Sequence, residues 1–382
     1  MSTKVSATRI EQAIDGSSLH PLQIRVFFLC GLIALLDGYD IQTMAFVVPS
    51  LAIEWGLAAT DFKLALAGSL IGIAIGALAA GPISDRWGRK RVLVGALLIL
   101  GFATLTNSWA RNLDQLLIYR FLTGIGLGAS MPNVIALTAE YAPVRYRTLA
   151  VTLMFCGVPL GSAIAGFMAV DLIANFGWQS VFVIGGTLPL LLAPICALCL
   201  AESIKYLANR PARHQHLQRL LDKMRIKIST TSRLTSTTTY SNPVVVLFSD
   251  GRAPITLILW GVFSSNLFAM YYIVSWLPTV LQSVGWSHAN SLRGSAMFQL
   301  GGVISSVVFS LLIDRSSPFR VLPPIFICTA FAFVCMSVAT AIPAVGLSVL
   351  TVCGAGVVGA QFCINALSAA LYPTRARATG VG

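Results

Sequence analysis

Two acidic residues, Asp37 and Asp40, interrupt the first long apolar stretch of the chain, which begins near Val26 and continues to Val48. A carboxylate in a membrane-spanning segment costs roughly 2.5–3.5 kcal/mol on insertion scales, so it usually faces a bundle interior or a water-filled path. Residues three positions apart lie on one face of a helix. The pair is therefore the first candidate for proton coupling.

The environment of this pair favours proton binding. Burial disfavours the charged form of a carboxylate, and a like charge three residues away disfavours double ionisation. We therefore expect Asp37 or Asp40 to hold a proton near neutral pH. A fixed structural pairing with a buried cation is the alternative.

Arg120 is that buried cation, the only Lys or Arg deep within an apolar segment. Its guanidinium offers a planar fork that binds a carboxylate and stacks on aromatic rings, so it suits an aromatic carboxylate. An ion pair with Asp37 or Asp40, without substrate contact, is the competing interpretation. The two are compatible, because an arginine that alternates between an aspartate and a substrate carboxylate would couple proton and cargo.

The composition predicts an all-α polytopic membrane protein. Of 382 residues, 56% are hydrophobic and 10% charged, whereas soluble proteins have about 25% charged residues. Residues 1–22 are polar and do not resemble a cleaved signal peptide. Ten segments are long enough to span a bilayer, at about 20 residues each. These predicted spans cover residues 24–49, 64–83, 92–109, 113–139, 148–170, 179–200, 253–281, 294–313, 321–340 and 343–371.

The distribution of positive charge predicts the orientation. The net charge is +12, but no nucleic-acid partner is needed to explain it. With the N-terminus inside, nearly all Lys and Arg fall in cytoplasmic segments; Lys63, Arg111 and Arg293 lie outside and Arg120 within a span. This positive-inside bias predicts that both termini are cytoplasmic. The expected location is the cell (inner) membrane.

The two halves of the chain repeat each other. Asp85-Arg86 recurs as Asp314-Arg315 and Pro49 recurs as Pro278, both at an offset of 229. This repeat predicts the parallel two-half arrangement of a 6+6 transporter, with substrate handled between the halves near the midplane. At this offset, counterparts of the fifth and sixth spans are missing after residue 382, so ten of twelve helices are expected.

Three regions follow from the repeat. We predict an N-terminal six-helix bundle at 1–200, a basic cytoplasmic linker at 201–250 and a C-terminal bundle of four helices at 251–382. Residues 212–228 of the linker are interpreted either as a basic amphipathic helix on the membrane surface or as a solvated connection that enforces topology.

The loop after the second span contains a motif that runs from Gly81 to Arg91. It resembles the G-x-x-x-D-[RK]-x-G-[RK]-[RK] pattern of the major facilitator superfamily. Gly88 permits a tight turn, and a carboxylate such as Asp85 is favoured at a helix N-terminus. The resemblance implies a gating latch; topogenic charge alone is the alternative. The motif residues are Gly81, Asp85, Arg86, Gly88, Arg89 and Lys90.

Further segments narrow the resemblance. The run from Asp37 to Asp40 reads D-G-Y-D, similar to the D-G-[FY]-D signature of the aromatic acid:H⁺ symporter family within that superfamily. The fourth span, from Arg120 to Glu140, and the last span, with Gln361 and Asn365, also resemble that family.

The resemblance implies a site lined by the first, fourth, seventh and tenth spans. Glu140 is assigned to proton coupling together with Asp37 and Asp40. It is interpreted as part of a cytoplasmic salt bridge, near Arg145 and Arg147, that resets during transport; a plain solvated charge is the alternative. Aromatic walls with a few hydrogen-bonding groups suit a small ring with a carboxylate. The candidate substrate-binding residues are Arg120, Asn266, Tyr272, Gln299, Gln361 and Asn365.

The sequence thus predicts a monomeric, proton-coupled importer of a small aromatic carboxylate such as benzoate, hydroxybenzoate or hydroxyphenylpropionate. No enzyme activity, cofactor or metal site is expected, because the sequence shows no hydrolytic triad, phosphate loop or metal cluster. A transporter of another organic anion, a drug antiporter of the same superfamily and a non-transporting truncated fragment are the alternatives.

Overall fold

The computed structural model describes residues 14–15, 19–208, 210, 213–224, 253–316 and 318–371. These residues form two compact units, one up to residue 224 and the other from residue 253. Residues 225–250 of the predicted 201–250 linker lie outside the described residues, as do residues 372–382 and the side chains of Asp314 and Arg315.

Among the described residues, the first unit contains nine α-helices and one short 3₁₀-helix, Ala59–Phe62. The α-helices are α1 (Pro21–Trp55), α2 (Lys63–Trp87), α3 (Arg89–Asn107), α4 (Leu113–Tyr141), α5 (Val144–Phe155), α6 (Gly157–Phe176), α7 (Gln179–Cys199), α8 (Ile204–Ala208) and α9 (His214–Lys223). The second unit contains α10 (Ala253–Ser283), α11 (His288–Arg315), α12 (Pro318–Ala339) and α13 (Pro343–Leu371).

Within the described residues, nine helical segments are long and apolar enough to cross a membrane, with α5 and α6 counted as one. The 35-residue α1 is not among them. It carries Asp37 and Asp40 at its centre and Arg25 and Glu54 near its ends. The predicted all-helical architecture is confirmed, while the predicted count of ten spans is not.

Glycines set the closest helix contacts in both units. A Cβ atom added to Gly72 or Gly124 would lie 2.3 or 2.2 Å from a backbone oxygen of the partner helix in the α2–α4 pair. At Gly301 and Gly354, in the α11–α13 pair, the same distances are 2.0 and 1.7 Å. Gly72 and Gly301 are 229 residues apart, so the repeat in the sequence corresponds to a repeated packing contact.

A glycine also determines how closely α6 approaches α1. A Cβ atom on Gly161 would lie 1.8 Å from the backbone oxygen of Leu35. We expect Gly161→Ala to lower the free energy of unfolding by about 1–3 kcal/mol, because the helices must separate to admit the methyl group. Thermal unfolding in detergent measures this change. Gly31→Ala, on a face of α1 with no atom within 4 Å of the added Cβ, is the matched control. Equal unfolding temperatures for the two variants would contradict the prediction.

The helix α9 falls in the segment 212–228, for which two placements were predicted. Its apolar residues Leu217, Leu220 and Leu221 are buried in the hydrophobic core of the first unit, together with Met224. The apolar face of α9 therefore packs against the protein, and both the membrane-surface helix and the solvated linker are wrong for this part of the chain. The reason is that the bundle itself offers an apolar surface for α9 to cover.

Candidate functional site

The four residues from Asp37 to Asp40 form the middle of α1. The inner two, Gly38 and Tyr39, pack against neighbouring helices. A Cβ atom on Gly38 would lie 1.9 Å from the backbone oxygen of Val158 in α6, so only glycine fits. The Tyr39 hydroxyl donates a hydrogen bond to the Val181 backbone oxygen in α7 at 3.2 Å. These contacts fix the rotation of α1 and thereby direct both carboxylates.

Asp40 is fully buried and has two polar partners from different helices. Its Oδ1 atom accepts a hydrogen bond from Thr104 Oγ1 in α3 at 2.7 Å. Its Oδ2 atom contacts Arg120 Nη1 in α4 at 3.2 Å. The ion pair predicted for Arg120 therefore forms with Asp40.

Asp37 is equally buried but has a different environment. Its Oδ2 atom accepts a hydrogen bond from Ser130 Oγ in α4, and that hydroxyl also lies 2.8 Å from the Leu127 backbone oxygen. Its Oδ1 atom has no hydrogen-bond partner among the described residues. A buried carboxylate oxygen left without a donor is costly when ionised, so protonation of Asp37 relieves the site.

Arg120 has unused hydrogen-bonding capacity. Its side chain is 1% exposed, and its only ion pair in the described residues joins a single nitrogen to Asp40. Its Nε–H group has no hydrogen-bond partner within the described chain. Because a guanidinium binds a carboxylate best through two parallel N–H groups, the geometry leaves a donor available for a second anion.

Two further polar residues, Asn107 and Thr123, follow Thr104 in α3 and Arg120 in α4 by three positions each. Asn107 Nδ2 donates to the Ala103 backbone oxygen at 2.7 Å and contacts Thr123 Oγ1 at 3.2 Å. The Asn107 Oδ1 atom has no partner among the described residues. The first unit thus holds a carboxylate oxygen, a guanidinium N–H and an amide oxygen that have no hydrogen-bond partner among the described residues.

The motif loop at the other end of the bundle differs in part from the prediction. Gly88 has a φ of +98°, so the expected tight turn is present. Asp85, however, lies exposed in the last turn of α2. The N-terminus of α3 is instead met by Glu202, whose Oε1 accepts the Lys90 N–H at 3.0 Å. This carboxylate is 112 residues away in sequence, so no local pattern indicated it.

Glu140 is buried at the end of α4, and its ion pair differs from the expected one. Its Oε1 atom contacts Arg89 Nη1 at 2.5 Å, and its Oε2 atom accepts a hydrogen bond from Ser203 Oγ at 2.7 Å. Arg147, one of the two expected neighbours, pairs with Asp15 at 3.4 Å. Glu140 therefore joins the motif loop to the segment that follows α7.

Three amide side chains meet in the second unit. Asn266 Nδ2 in α10 donates to Gln361 Oε1 in α13 at 2.8 Å and to the Val357 backbone oxygen at 3.3 Å. Gln361 Nε2 lies 3.5 Å from Asn365 Oδ1. We call Asn266, Gln361 and Asn365 the amide cluster.

Two further candidates of the second unit lie outside this cluster. Gln299 is buried in α11. Tyr272 is 58% exposed and stacks on Phe268, with ring centroids 6.1 Å apart. The structure brings three of the five candidates in this unit together, and the substrate-binding roles of all five stay predictions.

Comparison with known proteins places these features in a family. The model of the Major Facilitator Superfamily matches residues 30–382. The chain belongs to this superfamily. The predicted transporter class, rather than an enzyme, is thereby confirmed.

Its relatives narrow the family further. The chain is 36% identical to the 4-hydroxybenzoate transporter PcaK of Pseudomonas aeruginosa over 97% of this chain and 84% of the relative. It is 37% identical to the gallate transporter of Pseudomonas putida over the same shares. The 3-(3-hydroxy-phenyl)propionate transporter of Escherichia coli is 30% identical, over 93% of this chain and 80% of the relative. The transporter therefore belongs to the aromatic-acid family of the superfamily, as its D-G-Y-D motif indicated.

Solved structures support the fold. The xylose transporter XylE from E. coli matches with a TM-score of 0.73 and 18% identity, over 95% of this chain and 88% of that chain. At this identity the likeness shows the fold alone, which is that of a multi-pass membrane transporter.

Sequence reasoning missed Thr104 and Ser130, the hydroxyl partners of the two aspartates. For Ser130 a signal existed: Arg120, Thr123 and Ser130 occur at intervals of three and seven, which is one helix face. Thr104 gave no comparable signal, because a lone threonine in an apolar span usually bonds its own backbone.

Proposed function

We propose that this transporter imports a small aromatic carboxylate of the hydroxybenzoate type together with protons. The observation that supports this most strongly is the buried Asp40–Arg120 pair, with the open Asp37 oxygen on the same helix face. The named substrates of the relatives, 4-hydroxybenzoate and gallate, share an aromatic ring with a carboxylate.

Arg120 is proposed to bind the substrate carboxylate. Its free Nε–H is a suitable donor, and its planar group can stack on an aromatic ring. When the substrate carboxylate forms hydrogen bonds with the guanidinium, the contact between Arg120 and Asp40 weakens. The cost of an unpaired buried carboxylate then favours proton uptake by the aspartates.

The two aspartates are proposed to divide this work. Asp40 is the carboxylate that exchanges with the substrate, because it contacts Arg120. Asp37 is the proton carrier, because one of its oxygens has no donor in the described chain. The amide cluster is proposed as a second set of substrate contacts, suited to ring hydroxyl groups because an amide both donates and accepts.

Orientation and assembly remain predictions. The excess of Lys and Arg in the segments assigned to the cytoplasm supports cytoplasmic termini and an inner-membrane location. A monomer is proposed as well. The Glu140–Arg89 pair is proposed to open and close with the transport cycle, since it joins the motif loop to α4.

Uptake into proteoliposomes tests the proposed function. With an inward proton gradient, labelled 4-hydroxybenzoate is expected to accumulate above its external concentration, and a protonophore is expected to remove the accumulation. Unlabelled gallate should compete, whereas a non-aromatic acid of equal charge should not. Equal competition by non-aromatic acids would indicate a general organic-anion transporter, and efflux of cationic drugs would indicate an antiporter.

A further inference from the structure

A groove in the first unit, away from the buried charges, is lined by six basic side chains. We call it the basic groove and define it by Arg25, Lys90, Arg91, Arg213, Arg219 and Lys223. Its volume is about 780 Å³. The start of α1, the start of α3, the end of α7 and the helix α9 all contribute to it.

The groove is built by the fold, because α9 is held in place by its apolar face. Leu217 and Leu220 are buried in the core of the unit, and this directs Arg219 and Lys223 outward. Arg213 is held by stacking over the Tyr206 ring, 5.4 Å from its centroid. These cations therefore do not lie on a free linker.

The residues that line the groove carry a large excess of positive charge. Glu202 is the one carboxylate among the described residues that line it. Its Oε1 atom already accepts the backbone N–H groups of Lys90 and Ser203, at 3.0 and 2.9 Å. Glu202 thus compensates the N-terminus of α3, and the six basic side chains are left to attract an anion.

The apolar part of the lining indicates which anion fits. Leu198 and Cys199, at the end of α7, line the same groove and are exposed, Leu198 by 84%. Basic groups beside exposed apolar side chains at the end of a spanning helix match an amphiphile with a charged head. A free phosphate would leave the apolar side uncovered.

We propose that the basic groove binds the phosphate headgroup of an acidic phospholipid, with the acyl chains along the exposed end of α7. Basic pockets between helices on the cytoplasmic side of a membrane bind such headgroups. The bound lipid would bridge the like charges that α9, α1 and α3 present to the groove.

Lipid binding by the purified full chain in a neutral detergent tests the proposal. Phosphatidylglycerol, phosphatidylcholine and inorganic phosphate are titrated separately at 0.15 M salt, with the unfolding temperature and a fluorescent lipid as readouts. We expect phosphatidylglycerol to bind and to raise the unfolding temperature, and the other two to have little effect.

The variant Arg219→Gln/Lys223→Gln should bind phosphatidylglycerol about 30-fold more weakly, since each basic group near an anionic surface contributes about 1 kcal/mol. The matched control Arg293→Gln/Arg320→Gln removes two exposed charges from the second unit and should bind as the parent does. Without lipid, all three proteins should unfold at one temperature.

Three results would overturn the proposal. Equal binding of phosphatidylcholine would remove the headgroup specificity, and unchanged binding in the α9 variant would place the lipid elsewhere. Inorganic phosphate that competes at millimolar concentration and stabilises equally would make the ligand a free anion. The test does not measure uptake of aromatic acids, so its outcome is independent of the proposed function.

Discussion

Replacement of Arg120 by glutamine is expected to reduce uptake of 4-hydroxybenzoate by about 100-fold, since charge-assisted hydrogen bonds worth about 3 kcal/mol are lost. The same change leaves Asp40 buried without its cation. Breaking a buried ion pair costs about 3–5 kcal/mol, so the variant should also unfold at a lower temperature. Initial uptake rates in proteoliposomes and thermal unfolding in detergent measure the two effects.

The double variant Asp40→Asn/Arg120→Gln separates structure from transport. It removes both charges, with Asn equal in size to Asp and Gln smaller than Arg, so much of the lost stability should return because no unpaired charge remains. Uptake should stay low, because the substrate carboxylate still lacks its guanidinium. Normal uptake in the double variant would mean that the pair is only structural. Arg111→Gln, at an exposed arginine, should leave both quantities unchanged.

Asp37→Asn is expected to separate substrate movement from proton movement. The amide cannot take up and release a proton, so accumulation driven by a proton gradient should fall to the equilibrium level. Exchange of external labelled for internal unlabelled substrate should continue at a rate within about threefold of the parent, because Arg120 and Asp40 keep their contact. A threefold loss corresponds to about 0.7 kcal/mol. Counterflow and gradient-driven uptake, measured on the same vesicles, test this directly.

A second variant removes the hydrogen-bond partner of Asp37 and keeps its carboxyl group. Ser130→Ala deletes the hydroxyl that donates to Asp37 Oδ2. Since a hydrogen bond to the ionised form stabilises that form, its loss should favour protonated Asp37 and shift the pH dependence of uptake to higher pH. Thr106→Ala, which removes a hydroxyl bonded to its own helix backbone, is the control.

For the first variant, an Asp37→Asn protein that still concentrates substrate would contradict the prediction and assign the role of proton carrier to Asp40.

The sequence was most informative where chemistry follows from residue type and helical period. Low charge and long apolar segments indicate a membrane protein, and the D-G-Y-D motif indicates its family, which the relatives confirm. Arg120 was recognisable because a cation deep in a span must find an anion. The repeat was also visible in the sequence, and the structure adds that Gly72 and Gly301, 229 residues apart, make equivalent close contacts.

Three assignments depended on how distant helices pack. Asp37 and Asp40 share one face of α1, so the period alone cannot say which of them Arg120 meets. The rotation of α1, fixed by Gly38 against α6, directs Asp40 to Arg120. The carboxylate Glu202 and the ion pair of Glu140 with Arg89 likewise join residues far apart in the chain.

The sequence by itself therefore determined the class of protein, the family, the buried charges and the internal repeat, because composition, motifs and helical period can be read along the chain. The tertiary structure alone decided that Asp40, rather than Asp37, pairs with Arg120, and that α9 turns its apolar face to the protein. These outcomes depend on the rotation and spacing of neighbouring helices, which side chains from several segments set together.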